Sequence, residues 1–235
     1  MPNKKIVVIP TYNESENISS LISGVLNYVA DTDILIVDDN SPDATAVLVG
    51  KISAIDARIK CLRRAAKQGL GKAYIDGFKY ALRNGYEYIA QMDADFSHDP
   101  KYLKVFFELI ADYDLVIGSR FVRGGGVRNR GIFRRLTSRV GSLYAQMVLG
   151  VKIADFTSGF KVFRRALLEN IGLGNVISSG YFFNVETAFR AARLGSRIKE
   201  SPIIFTERKF GKTKMNCGII IEAMINIWRL RFFSR

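Results

Sequence analysis

Between Gln91 and Pro100 the chain reads QMDADFSHDP, and Asp93 and Asp95 flank Ala94 directly after an apolar run. On extended backbone, side chains at i and i+2 point the same way while the residue between them turns aside. Paired carboxylates at that spacing suit a hard cation such as Mg²⁺ or Mn²⁺, with waters and phosphate oxygens completing its octahedron. Ser97 stands another two residues on and could add a hydroxyl or a water-mediated ligand. Solvated acids at the end of a strand would give the same pattern. The spacing alone leaves both readings open, and the position of the pair in the fold has to decide between them.

A cation held by acids calls for an anionic ligand to bridge, and the chain carries matching positive charge. Arg120 follows an apolar run, Arg134 and Ser138 stand at i and i+4, and Arg208 and Lys214 bracket Gly211 in ERKFGKTK. The i, i+4 pair shares one helix face near a helix N-terminus, which itself favours anions. Arginine forks suit phosphate oxygens. Asp38 and Asp39 close another apolar run, a place where doubly wound sheets often bind a nucleoside sugar or base edge. Gly69-Leu70-Gly71 does not complete G-x-G-x-x-G and reads as the start of a helix. The single histidine, His98, reads as a packing or turn residue. Cys61 and Cys217 form no CxxC pair, which excludes the usual zinc and redox motifs, and Cys61 reads as a core residue.

The elements that must position these residues follow from the hydrophobic pattern. KIVVIP, DILIVDD, RIKCL, YEYIAQM and YDLVIGS are short apolar runs that read as buried strands. Helical segments alternate with them. In the first, spanning 11–29, Ile18, Leu21, Ile22, Val25, Leu26 and Val29 form one stripe. Another, 69–85, ends near Gly85, a plausible C-cap. Alternation of this kind predicts an α/β fold with a mostly parallel sheet, right-handed crossovers and helices on both faces. Ligands then bind at the carboxyl ends of the strands. Thr11–Glu14, Asp38–Asp39 and Asp93–Asp95 each follow a strand and should converge on one edge.

The second half is less regular. FVRGGGVRNRGIFRR reads as a mobile basic loop. The next segment is helical, with Leu136, Val140, Leu143 and Met147 as its expected inner stripe. DFTSGFKVF reads as a turn leading into a strand, NVETAFRAARLG as a helix, IKESPIIF as extended and ERKFGKTK as a second basic loop. The terminal CGIIIEAMINIWRLRFFSR is either a packed helix or one lying in a membrane interface, with Trp228, Phe232 and Phe233 inserted.

The chain has 235 residues, is 48% apolar and carries a formal charge of +13. That composition fits one globular domain and an anionic partner: nucleic acid, an anionic membrane or phosphate-rich small molecules. No RNP-type aromatic run, zinc finger or basic helix is present, which argues against nucleic acid. No secretory signal and no apolar run approaching the roughly 20 residues of a membrane helix is visible. Together with the sparse cysteines, this suggests a reducing, cytoplasmic setting.

VVIPTYNESENI, IVDDNSPD, GLGKAYIDGF, MDADFSHDP, VIGSRFVRGG, DFTSGFKVFRR and ERKFGKTK together resemble the family 2 glycosyltransferases of GT-A fold. More closely, they look like the dolichyl-phosphate (polyprenol monophosphate) mannose synthases, and the match runs from about Ile6 to Lys214. It implies a single Rossmann-like GT-A domain over 1–235, with the nucleotide-sugar and metal half at about 1–120, the acceptor half at about 121–215 and an amphipathic helix at about 216–235. It implies an inverting transfer of mannose from GDP-mannose to a polyprenyl (dolichyl) phosphate, or of another sugar from UDP-glucose or a similar donor. By the same resemblance, Pro10, Tyr12, Glu14, Val37 and Asp39 would hold the nucleoside. Asp93 and Asp95 would hold Mg²⁺ or Mn²⁺, Ala94 would pack beside the nucleotide, and Ser97 stands where some members carry Gln. Arg120 would face the phosphates, Arg134 and Ser138 would receive the lipid phosphate, and Arg208 and Lys214 would grip the diphosphate. Asp95 and Arg120 are the implied catalytic residues. Without the C-terminal membrane helices of larger members, attachment to a membrane surface would be peripheral, on the cytoplasmic face, or through a membrane-anchoring partner protein.

Overall fold

The computed structural model describes residues 4–128, 132–176, 180, 182–206 and 217–233; of 132–135, 217–223 and 233 it describes the backbone only. The β-branched run at the N-terminus forms β1 (Lys5–Thr11), followed by α1 (Ile18–Tyr28), β2 (Thr32–Asp38), α2 (Thr45–Ile55), β3 (Ile59–Arg63), α3 (Leu70–Arg83) and β4 (Tyr88–Gln91). Then come α4 (Tyr102–Leu109), β5 (Leu115–Ser119), β6 (Gly126–Arg128), α5 (Ile132–Leu149), β7 (Lys161–Arg164) and α6 (Arg165–Asn170). The chain closes with α7 (Phe182–Arg193), β8 (Ile198–Pro202), β9 (Ile204–Thr206) and α8 (Cys217–Phe233). The first helix is shorter than the periodicity suggests, because Tyr12–Asn17 stay outside it as a loop; Asn13 sits at φ +61°.

Seven strands form one sheet in the order β3-β2-β1-β4-β7-β5-β8. The β3-β2-β1-β4 half is parallel throughout, and β7 is inserted antiparallel to both β4 and β5. The chain moves outward from β1 to β3 and then crosses to β4 on the other side of β1. That reversal opens a crevice at the carboxyl ends of β1 and β4, where open α/β sheets bind ligands. Both faces are covered. Ile6 and Val8 of β1 join a cluster with α3, α7 and the inner sides of α5 and α8, while Val7 and Ile9 join another with α1 and α4. Alternate residues of one strand thus feed opposite cores.

Helix α3 approaches the sheet closely because Gly77 has no side chain: a Cβ there would overlap Val8 Cγ1 and lie 3.1 Å from Val37 Cγ2. Gly77→Ala is therefore expected to cost about 1–3 kcal/mol through overpacking. The check is a lower denaturant midpoint at unchanged slope.

Three expectations are corrected. Cys61 is exposed, not core, because β3 is an edge strand and its residues past Ile59 are partly or fully open to solvent. The basic loop expected after β5 contains β6, which pairs in parallel with β9. Its last residues, 132–135, already belong to α5, and 129–131 lie outside the described residues. The apolar stripe of α5 has the expected period but the opposite side. Leu136, Val140, Leu143 and Met147 are 58%, 53%, 49% and 76% exposed, whereas Ser142, Ala145 and Leu149 are buried. Small residues at 142 and 145 let α5 lie close to the body of the domain, so the larger side chains are turned outward. Helix α8 packs beside α5, with Ile227 and Leu230 buried and Arg231 Nη1 donating to Leu149 O at 2.9 Å. Its Met224, Ile225, Trp228 and Phe232 are exposed. The inner side is the packed helix that was one of the two expectations for this segment.

Candidate active site

The expected convergence of polar clusters is present. Asp39 N donates to Thr11 O at 2.9 Å and Met92 N to Val8 O at 3.2 Å, so the ends of β1, β2 and β4 are tied side by side. Asp38 is fully buried and accepts from Thr11 Oγ1 (3.1 Å), Ser41 N (2.9 Å) and Ser41 Oγ (2.6 Å). Asp39 accepts from Arg64 Nη1 at 2.5 Å, from Gln68 N at 3.1 Å to both oxygens, and from Gly69 N at 2.9 Å. Those bonds clamp the Gln68–Gly69 turn that starts α3. Pro10 and Val37 are register partners and buried. Tyr12 and Glu14 lie above them in the loop after β1. The Tyr12 ring has Lys67 Nζ 3.4 Å from its centroid, and Glu14 Oε2 accepts from Asn17 Nδ2 at 2.8 Å.

The acid pair lies just past β4. Asp93 and Asp95 are partly exposed, and Ala94 between them is buried at 5%. Asp95 Oδ1 accepts from Ser97 N at 3.1 Å, closing a tight turn in which Phe96 takes φ +57°. Ser97 is itself buried, and its carbonyl accepts from Thr206 N at 3.4 Å. The end of β9 therefore lies beside the acid pair, while Arg208 and Lys214 lie outside the described residues. Among the described residues no three His, Cys, Asp or Glu side chains gather as a metal cage. Two hard carboxylates and a hydroxyl fit a Mg²⁺- or Mn²⁺-type ion that draws the rest of its shell from water and a substrate's oxygens.

Several partners of this pair carry no sequence signal. Tyr74, a helical core position by pattern, donates its hydroxyl to Asp93 Oδ1 at 2.7 Å. Burial, then the nearby Asp93 charge, pushes that phenol well above its ordinary range. His98 Nδ1 accepts from Asp93 N at 3.1 Å, and burial keeps the imidazole below its ordinary value and neutral. Beneath them Gln91 Nε2 donates to Asn184 Oδ1 at 2.6 Å, and Lys161 Nζ donates to Asn184 O at 2.6 Å. Desolvation brings the fully buried Lys161 ammonium down to about 7.

At the end of β5, Arg120 is buried and forked onto Asp155, with Nε to Oδ2 at 2.7 Å and Nη2 to Oδ1 at 2.6 Å. Its Nη2 also donates to Thr157 Oγ1 at 2.6 Å. Asp155 is 0% exposed and comes from the DFTSGF turn; Glu200 accepts the backbone N–H groups of Ala154 and Asp155 at 2.7 and 3.0 Å. Arg120 and Arg139 line a cavity of ≈ 140 Å³ with Phe121, Gly125 and Val127. Ser138 neighbours Arg139 on α5; the backbone of Arg134 belongs to the same helix, and its side chain is outside the described ones.

A mostly parallel sheet with one antiparallel insertion, an acid pair after β4 at its ligand edge and arginines facing that edge define a glycosyltransferase of GT-A fold. Solved structures of that fold superpose on nearly the whole chain. Glucosyl-3-phosphoglycerate synthase from Mycobacterium tuberculosis, in complex with Mn²⁺, UDP and glucosyl-3-phosphoglycerate, matches with a TM-score of 0.70 at 18% identity, over 98% of this chain and 80% of that one. A mannosyltransferase from Pyrobaculum calidifontis in complex with GDP-Man and Mn²⁺ matches with a TM-score of 0.59 at 17% identity, over 98% and 70%. The chain belongs to glycosyltransferase family 2: the model "Glycosyl transferase family 2" matches residues 6–172. It is 43% identical to the undecaprenyl-phosphate mannosyltransferase of Micrococcus luteus over 98% of this chain and 95% of that protein. It is 41% identical to the polyprenol monophosphomannose synthase of Mycolicibacterium smegmatis over 97% and 88%.

Proposed function

We propose that this enzyme transfers mannose from GDP-mannose to a polyprenyl phosphate with inversion at the anomeric carbon, releasing GDP. The observation that carries the reading is the near full-length likeness to two proteins named for mannosyl transfer to polyprenyl phosphate. The site chemistry supports it. A lipid phosphate is ionised at neutral pH, so its oxygen can attack the anomeric carbon without a general base. The chain's single histidine is buried, with Nδ1 already accepting from Asp93 N.

In this reading the half at about 1–120 binds donor and cation, that at about 121–215 receives the acceptor, and α8 forms the amphipathic end. Pro10, Tyr12, Glu14, Val37 and Asp39 shape the nucleoside side, and Ala94 packs against the nucleotide. Asp93 and Asp95, with Ser97 beside them, hold Mg²⁺ or Mn²⁺, which when bound stabilises charge on the departing diphosphate. Arg120, Arg208 and Lys214 add positive charge around the same oxygens. Arg134 and Ser138 hold the acceptor phosphate.

The acceptor also implies a membrane surface, and no helix among the described residues is long and apolar enough to cross one. The exposed stripes of α5 and α8 supply a lipid-facing patch, including a half-exposed Trp228 stacked on Phe232 at 5.7 Å. Over both helices the sequence has five arginines and one glutamate, Glu222. The net positive charge of the two helices suits the anionic cytoplasmic leaflet. Leu143→Glu with Met147→Glu should therefore lower sedimentation with phosphatidylglycerol vesicles by about tenfold or more and leave thermal melting unchanged. Undiminished vesicle binding would remove this patch from the reading, and binding only with an added membrane protein would favour an anchoring partner.

The deciding experiment incubates purified protein with GDP-mannose, UDP-glucose and other donors, a polyprenyl phosphate and Mg²⁺ or Mn²⁺, and identifies the lipid product by mass. A polyprenyl phosphomannose formed from GDP-mannose is expected; a product formed only from another donor replaces the donor, and no lipid product overturns the reading.

A further inference from the structure

Asp93 is gripped from three separate parts of the chain. From α3, the fully buried Tyr74 places its hydroxyl 2.7 Å from Oδ1. From the turn after the acid pair, His98, 3% exposed, accepts the Asp93 backbone N–H at 3.1 Å. From the segment before β7, Gly159 lies close alongside: a Cβ there would stand 3.2 Å from Asp93 Oδ2 and 3.3 Å from His98 Cε1.

Packing does not explain these polar atoms. Tyr74 lies among Phe78 and Phe183, with ring centroids 5.9 and 5.7 Å away, and phenylalanine would fill the same space. His98 is stacked on Phe160 at 4.9 Å with Phe205 at its edge. A buried hydroxyl or imidazole in aromatic surroundings costs free energy unless it is hydrogen-bonded, and in both cases the bond goes to Asp93. Gln91, two residues earlier, is also fully buried and its side chain interacts with the same phenol, but the bond that the Tyr74 hydroxyl donates goes to Asp93 Oδ1.

We propose that Tyr74 and His98 are positioning residues for the acid pair, Tyr74 fixing the rotation of the Asp93 carboxylate and His98 fixing the backbone from which it projects. Metal-ligating carboxylates work best when outer partners hold their orientation before the ion arrives. His98 acts as an acceptor at Nδ1, which puts its proton on Nε2. The inference rests on the reading of Asp93 as a cation ligand and adds how that ligand is aimed.

The test measures Mn²⁺ binding in the presence of GDP by electron paramagnetic resonance, with no sugar transfer required. Tyr74→Phe and His98→Leu are each expected to weaken Mn²⁺ binding by roughly 10-fold or more. His98→Asn, whose side-chain oxygen can take the place of Nδ1, should recover most of the loss. In turnover assays the Tyr74→Phe defect should appear as a raised Mn²⁺ requirement. If Tyr74→Phe and His98→Leu bind Mn²⁺ as wild type does while Asp93→Asn loses it, the positioning role is overturned and the ligand reading survives. If Asp93→Asn also binds normally, both fall together.

Discussion

Asp95→Asn is expected to reduce mannosyl transfer by about a hundredfold or more while leaving the fold intact. The change is nearly isosteric, and the amide oxygen can still accept the Ser97 N–H that Asp95 Oδ1 accepts now at 3.1 Å. The turn set by Phe96 at φ +57° therefore has no reason to open. What disappears is one of the two negative charges proposed to hold a divalent ion beside the donor's diphosphate. Single preorganised contacts that stabilise developing charge are typically worth roughly 10²–10³ in turnover, and here the loss acts through the affinity for the ion as well. The measurement is product formation against Mn²⁺ concentration, beside a thermal melt. Turnover near wild type at ordinary Mn²⁺ would remove Asp95 from the chemistry.

The parts of this site that were legible in the sequence are those set by chain topology. Buried strands read as apolar runs, helices as periodic stripes, and acids placed just after successive strands must meet once the strands are parallel neighbours. Asp38, Asp39, Asp93 and Asp95 come together for that reason. What could not be read depends on contacts between segments distant in sequence. Tyr74 sits 19 positions from Asp93, and its hydroxyl has meaning only once α3 lies across β4. Asp155 sits 35 positions from Arg120, in a turn whose sequence signals only a change of direction. The face of α5 illustrates a different limit. Periodicity gives the angular spacing of an apolar stripe but not whether the stripe faces the body of the domain or the outside of the molecule, so Leu136, Val140, Leu143 and Met147 could be grouped correctly and still be turned the wrong way. Cys61 was misplaced for a related reason: apolar strands look alike until one of them turns out to be the edge.

Asp155→Ala is expected to have the largest effect on stability, at about 3–5 kcal/mol, the usual result of deleting one partner of a buried ion pair. Asp155 is 0% exposed and Arg120 7%, so the guanidinium left behind would lose both forked bonds with little water to replace them. The Arg120 backbone N–H, which donates to Asp155 Oδ2 at 3.0 Å, would lose its partner as well. For a chain of this size the loss corresponds to a fall in melting temperature on the order of 10 °C. Replacing both partners by apolar residues, as in Arg120→Met with Asp155→Leu, should cost clearly less than Asp155→Ala, because no charge is then stranded. Activity separates the two roles of the pair. The double variant should regain stability yet stay inactive, since Arg120 lines the cavity it shares with Arg139 beside α5. Recovery of transfer in the double variant would make Arg120 a strut for the DFTSGF turn and nothing more. A melting temperature within about 2 °C of wild type for Asp155→Ala, less than 1 kcal/mol by the same scaling, would mean that the bidentate pair contributes little to the folded state.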